Sequence, residues 1–377
     1  MRNWLAAYRF PARVVAIGLV WAAFFYLPAR GQTIIQSGDG VRSIFYQQSW
    51  SITEGDSLEK VRQRCIPLVV QRAIRANTDL LVATSRAALR RQSGEEYRLG
   101  GFLDTRVAVI SSLFHDLLMA EAGLNVPTGK RGLSNGEAQV LRLFAAPELS
   151  SRVNRFGEGL DMNLALSTAR KISLFNVGLG VGYLRRGTFR PLEGEPVYRR
   201  GSELTYNLGI DYYIWRLMIR GDWTTTRYGY EQLDRRDEFR LGARRRLAAS
   251  LIYRMGNTLA EVTYFNIHRK KNQFRLMDQL VSEHKNSNGA YRVLLGSLRQ
   301  QYPGAIYTVL MGEYRDLGKD EAGKGGARVF GFGAVIGRTF YRRLKVEIGD
   351  KLIHGESKIK DLSLDGQEYY LGLEWSF

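Results

Sequence analysis

Ten polar side chains recur at two-residue spacing inside otherwise apolar stretches: Asp161, Asn163, Asn176, Asn207, Asp211, Arg220, Asp222, Glu347, Glu368 and Glu374. A two-residue period places them on one face of a strand, opposite the apolar residues that flank them. Acids and bases sharing one wall, as Arg220 and Asp222 would, set a transverse field. That is chemistry of selection by charge, without bond-making. The plainer alternative is a solvated wall whose side chains pair across strands. Catalysis would need more than the chain supplies. The four histidines, His115, His268, His284 and His354, are scattered, and His354 with Glu356, or His268 with a nearby acid, is the nearest approach to an acid–base pair. No His-Glu-x-x-His, phosphate-binding loop or Cys/His cluster occurs. The histidines read as solvated side chains, and no enzyme activity, cofactor or metal is expected. Cys65 is the only cysteine, which excludes an intrachain disulfide.

The elements that must hold such a wall are strands, and the carboxy terminus is the clearest. Tyr369, Leu371, Leu373, Trp375 and Phe377 alternate with Glu368, Tyr370, Gly372, Glu374 and Ser376. A flat apolar edge of this kind invites aggregation unless a closed barrel removes it. The amino terminus supplies an address. Arg2, Arg9 and Arg13 precede an apolar run from Val14 to Leu27, and Ala29-Arg30-Gly31 offers a small-x-small cleavage site. The run is shorter than the roughly 20 residues of a spanning helix, so residues 1–31 read as a cleaved signal peptide; an uncleaved anchor is the rival. The formal charge is +18; residues 1–31 hold four Arg and no acid, which leaves 18 − 4, or +14. On a soluble chain that charge would suggest nucleic acid. On an exported barrel it suits anionic lipopolysaccharide outside or anionic solutes inside, and no nucleic-acid partner is expected. A mean hydropathy of -0.25, with Gly 40 against Pro 8, fits strands of which only one face meets lipid.

In chain order, a polar lead spans 32–41. Strands are expected near 42–53, 60–74, 78–91, 101–114 and 116–126. An insertion over 127–157 carries a short helix at 137–146, with Asn135 as its cap. Alternation is cleanest afterwards: near 160–167, 175–183, 204–213, 217–223, 237–254, 258–270, 288–301, 304–316, 326–340, 342–355 and 366–377. Tight turns are expected at 75–77, 115–116, 170–171, 214–216, 255–258, 301–304 and 339–342, with longer loops between. Short turns on one side and long loops on the other are the asymmetry of a bacterial outer-membrane barrel. The expectation is one unit over 42–377: an all-β, antiparallel, up-and-down transmembrane β-barrel of about 16 strands, with 14 open. A barrel of that size is too wide for its own side chains to fill. The insertion belongs at the outer mouth or inside the lumen.

Ordered local features carry a resemblance. They are Gly100-Gly-Phe-Leu-Asp104, then Gly123-Leu-Asn-Val-Pro-Thr-Gly129, and after the insertion Gly157-Glu-Gly-Leu-Asp161. Over roughly residues 100–186 the chain resembles the outer-membrane barrels of the "MetA-pathway of phenol degradation"-like transporters, distantly related to the FadL-type channels for hydrophobic compounds. The resemblance implies a barrel in the bacterial outer membrane that passes small, aromatic, anionic or hydrophobic solutes. Residues 32–41 are too few and too polar to be the apolar amino-terminal plug of fatty-acid channels.

A second class stays open: a non-transporting barrel acting as surface anchor, envelope-assembly partner or rim enzyme. The expected partners are outer-membrane lipid, lipopolysaccharide, a small solute, and the barrel-assembly machinery that would read the Tyr369–Phe377 ladder. Arg245 shares an otherwise apolar face with Phe239, Leu241, Leu247, Leu251 and Tyr253. A lipid-facing Arg costs about 2–4 kcal/mol at mid-bilayer and about 0–1 at the interface. The strand is therefore expected to project beyond the membrane, with Arg245 reaching lipid phosphates at the outer rim. Arg235-Arg236 and Arg269-Lys270-Lys271 read as rim charge of the same kind.

Overall fold

The computed structural model describes residues 39–377, apart from residues 154, 277–278, 342 and 359–361. The expected signal peptide and most of the lead lie outside these residues. Seventeen strand segments form one sheet. Two of them, Glu95–Phe102 and Thr105–Leu113, both pair with Thr78–Ser93 and together make one stave, broken at Leu103-Asp104. The result is a closed antiparallel barrel of 16 strands. They are β1 Gly40–Glu54, β2 Ser57–Arg75, β3 Thr78–Ser93, β4 in its two segments, β5 Leu118–Val126, β6 Asp161–Ile172, β7 Phe175–Arg185 and β8 Glu203–Ile214. The second half is β9 Leu217–Tyr228, β10 Arg244–Met255, β11 Thr258–Arg269, β12 Tyr291–Tyr302, β13 Ile306–Leu317, β14 Ala327–Phe340, β15 Leu344–Ser357 and β16 Leu362–Ser376. Closure is complete: β1 pairs with β16 in unbroken register from Gly40 opposite Ser376 to Glu54 opposite Leu362.

Alternation decides what faces outward. Leu164, Phe332, Ile348 and Leu352 stand 61, 64, 59 and 61% exposed, in rows whose alternate residues are buried or half-buried. An apolar exterior on a barrel closed by strand-to-strand ladders is a structure for lipid, and the chain is a transmembrane barrel. Short turns mark one end of the barrel. Trp215 at 92% and Tyr341 at 95% exposure sit there, as interfacial aromatics do.

The other end is elaborated. A separate six-stranded sheet is built from Thr188–Phe189, Tyr198–Arg199, Tyr230–Leu233, Arg236–Arg240, Gln273–Leu276 and Gln279–Ser282. Four expectations are corrected at this level. Residues 54–60 and 91–101 are not loops: β1–β2 and β3–β4 continue as long hairpins that turn at Gly55 (φ 56) and Gly94 (φ 74). The turn placed at 170–171 lies at 173–174, because β6 pairs with β7 as far as Ile172. The strand expected over 237–254 breaks at 241–243. Its upper part, Arg236–Arg240, leaves the barrel for the rim sheet, and a Cβ at Gly242 would fall 1.9 Å from the Lys270 carbonyl oxygen. The helix runs Asn135–Phe144, and its cap is Ser134, not Asn135.

Candidate functional site

The 127–160 connection between β5 and β6 folds back inside the barrel. Asp104, at the break in β4, clips its two ends together. One carboxylate oxygen accepts the Gly129 N–H at 3.0 Å and the other the Glu158 N–H at 2.8 Å. Gly157 N–H donates to the Lys130 carbonyl at 2.9 Å. The approach is close enough to demand glycine. A Cβ at Gly157 would lie 2.7 Å from the Gly129 oxygen, and one at Gly129 would lie 2.8 Å from the Gly157 nitrogen. The Gly-Phe-Leu-Asp, Pro-Thr-Gly and Gly-Glu-Gly elements of the sequence are thus three parts of one clip.

Inside, helix α1 (Asn135–Phe144) begins with a reciprocal cap. Ser134 Oγ accepts the Glu137 N–H, and Glu137 accepts the Ser134 N–H at 3.1 Å. Lys130 Nζ binds the same carboxylate. Burial would raise the Glu137 pKa, but the hydrogen bonds from Lys130 and Ser134 prevail and hold it below the ordinary carboxylate value. Val140, Phe144, Leu149, Val153 and Phe156 form one apolar core with Tyr46, Trp50, Val61, Cys65, Leu89, Leu99, Val329, Ile353 and Leu364 of the wall. The inward faces of β1–β4 and β14–β16 are therefore apolar where they meet the insert. A sixteen-stave lumen too wide to fill itself is filled on this side by its own connection.

Polar pins fix the insert. Gln48 donates to the Leu149 carbonyl at 3.1 Å. Gln63 donates to the Val153 carbonyl at 2.9 Å and accepts the Arg152 N–H at 2.9 Å. Further round the wall, next to β14, Arg315 of β13 donates to the Glu148 carbonyl at 2.9 Å. Arg152 lies 3.7 Å over the Tyr46 ring and 3.5 Å from Glu368. A small lumenal pocket remains between insert and wall, where Arg152 faces Glu313, Arg315, Lys351 and Glu368. Glu313 pairs with both Arg315 and Lys351. The pocket walls are therefore charged, with positive and negative groups interleaved.

The inward row also holds the polar residues at two-residue spacing. Asp161 accepts the Gly187 N–H and Arg186 Nη1, each at 2.9 Å. Asn163 donates to Glu121 at 2.9 Å, beside Arg106. Asp211 holds Arg220 at 2.7 Å across β8–β9, so the opposed pair is Arg220 with Asp211 and not with Asp222, which faces Gly209. Asn176 lies opposite Asp211, and Asn207 opposite Gly180 and Thr224. Glu347 binds Lys345 at 2.6 Å and the Tyr307 hydroxyl. Glu374 lies opposite Arg42 and Lys345. Of the ten, Glu368 pairs with Arg152 of the insert.

Arg245 stands exposed on the outward row near the end of β10, opposite Thr225 and His268. His354 Nδ1 sits 2.7 Å from Asp365 and its Nε2 3.8 Å from Glu356, all exposed on the exterior. Among the described residues no group of His, Cys, Asp and Glu could hold a metal ion. Sequence reasoning missed Gln48, Gln63, Arg152 and Arg315. The available signal was a glutamine set into an apolar row: Gln48 between Tyr46 and Trp50, Gln63 between Val61 and Cys65.

No family model matches the chain, and no curated protein does. Solved barrels share its overall form at low identity. OpdK of Pseudomonas aeruginosa with vanillate is 10% identical over 89% of this chain and 98% of its own, with a TM-score of 0.44. OccK2 (OpdF) of Pseudomonas aeruginosa is 9% identical over 90% and 98%, with a TM-score of 0.47. The CymD monoaromatic hydrocarbon channel is 13% identical over 90% and 88%, with a TM-score of 0.42. At that distance no residue and no ligand carries over. The closed barrel, its apolar exterior and its one-sided turns are the chain's own, and they make it an outer-membrane protein.

Proposed function

We propose that the chain is a channel through which small solutes diffuse across the outer membrane, narrowed by its own 127–160 insert. One observation carries the reading: the insert occupies one side of the lumen, while the inward rows of β6–β9 bear glycine and short polar residues that leave room. Gly178, Gly180, Gly182 and Gly209 alternate on that wall, with Asn207, Asp211 and Arg220 among them. Small residues widen a passage, and the Asp211–Arg220 pair places a transverse field across it. Beside the insert, Arg152, Arg315 and Lys351 face Glu313 and Glu368, three cations against two acids, which supports a preference for anionic solutes. Liposome swelling tests this: small aromatic carboxylates should enter faster than neutral sugars of equal size. Equal rates would remove the anion preference, and no swelling would remove the channel.

A second reading follows from the same insert. Its apolar core against the wall is built as firmly as a protein interior, and an insert that sealed the lumen would leave a surface anchor. Lumen-lining roles for the ten inward residues, lipid contact by Arg245, and recognition of the Tyr369–Phe377 ladder by assembly machinery belong to the proposal. The ladder's outward exposure, 40% at Tyr369 rising to 57% at Trp375 and Phe377, supports the last.

A further inference from the structure

The first four staves invert the usual pattern on their outer halves. Facing the insert they are apolar; facing outward, β2–β4 carry Arg62, Arg64, Arg86, Arg90 and Arg98, and β1 carries Gln47 and Ser49. Arg62 of β2 lies directly opposite Arg90 of β3, and Arg90 opposite Arg98 of β4. Three cations stand side by side at one height, where like charges facing across strands repel. Glu96 binds Arg90 at 2.7 Å and also pairs with Arg98, and among the described residues no carboxylate pairs with Arg62. One row lower, Arg64 faces Ala88, and Ala88 faces Gly100. A methyl group and a glycine thus leave a depression framed by Arg62 and Arg90 above, Arg64 at its side and Arg86 in the row below, level with Ile66 and Phe102. Neighbouring strands are about 4.8 Å apart and alternate residues about 7 Å, so Arg62, Arg64 and Arg90 border the depression directly and Arg86 lies about 7 Å below Ala88, within reach of its long side chain. Arg64 also bonds Gln47 at 2.9 Å, and Ser49 stands opposite Arg62.

Height matters as much as charge. Arg64 and Arg62 lie eight and ten positions along β2 from Arg72, near the short-turn end. A spanning strand takes about 9–11 residues, so they sit where the apolar belt ends on the long-loop side. Directly below, Phe45, Ile66 and Phe102 point outward, 39, 44 and 55% exposed. Cations and amides above an apolar belt match a lipid whose headgroup is a phosphorylated sugar and whose acyl chains run down the wall.

We propose that this outward face of β1–β4 is a binding site for the phosphorylated sugar headgroup of an outer-leaflet lipid, with Arg62, Arg64, Arg86 and Arg90 on the phosphate. The proposal rests on the barrel's outer-membrane placement and not on conduction. The test uses the full-length protein in detergent with diphosphoryl lipid A, the same lipid stripped of phosphate, and inorganic phosphate as three probes in native mass spectrometry. The diphosphoryl lipid should bind, and the triple variant Arg62→Gln, Arg64→Gln, Arg86→Gln should weaken it about tenfold or more. Glu96→Gln, which removes the competing carboxylate, should tighten it. Unchanged binding in the triple variant, equal binding of the stripped lipid, or binding of inorganic phosphate as tight as that of lipid would each overturn the site. Bilayer conductance of the triple variant should equal wild type, so a failed channel reading and a failed lipid site give different results.

Discussion

Gln63 and Val153, ninety positions apart, bind each other's main-chain and amide groups twice. Gln63 Nε2 donates to the Val153 carbonyl at 2.9 Å, and the Val153 N–H lies 3.3 Å from Gln63 Oε1. The pair is fully buried, so a lost partner leaves orphaned polar groups. Gln63→Ala should destabilise the docked insert by about 1–3 kcal/mol. The expected readout is a noisier, larger single-channel current from a barrel that still resists unfolding by detergent at room temperature. An unaltered current would mean that the insert is not held through Gln63.

The clip at the base of the insert makes a sharper test. Gly157→Ala puts a methyl group 2.7 and 2.8 Å from the backbone oxygens of Gly129 and Lys130, atoms that cannot swing aside. Gly296→Ala, whose new methyl group would meet nothing within 4 Å, is the control. The first should raise protease cleavage within 127–160 severalfold; the second should leave it unchanged. Equal cleavage would remove the clip from the account.

Acid should loosen the helix. Glu137 is held below the ordinary carboxylate pKa of about 4.3, so its contribution is fully present above that value and is lost as pH falls through the folded-state pKa. Current noise should therefore rise as pH falls below about 4.3. Glu137→Gln should be noisier at neutral pH and much less sensitive to acid. A wild-type trace with no change on acidification would contradict the assignment.

Arg152 puts a cation of the insert against the charged pocket at the wall. It stacks over Tyr46 and neutralises Glu368, so Arg152→Gln leaves an uncompensated carboxylate at the wall. Reversal potentials in a salt gradient should shift toward cation preference. No shift would place Arg152 outside the conducting path.

How much of this was legible depends on what each strand faces. In β6–β9 the outward residues are apolar and the inward ones small or polar, so a two-residue period names both faces; β6, β7 and the Tyr369–Phe377 strand read directly. In β1–β3 the relation reverses. Tyr46, Trp50, Val61 and Leu89 point inward because the lumen there holds an apolar insert, while Arg62, Arg64 and Arg90 point outward above the lipid. Hydrophobicity alone cannot tell lipid from plug, and that is why these strands looked irregular and their hairpins were cut short at residues 60 and 91. The rim strands were hidden for another reason. Segments of two to five residues in polar loops, such as Arg236–Arg240, are too short to establish a period. The clip's residues stood out in sequence, but their joint role depended on Asp104 reaching both ends of the insert.

Deleting residues 130–156 tests the central claim most directly. Asn125 and Asp161 are already register partners across β5 and β6, so a short glycine linker can close the gap without moving the wall. Planar-bilayer recording should give the deleted barrel a conductance several times that of the full chain, with the Asp211–Arg220 wall intact. An equal conductance from a correctly folded deletion would contradict an insert that narrows the lumen.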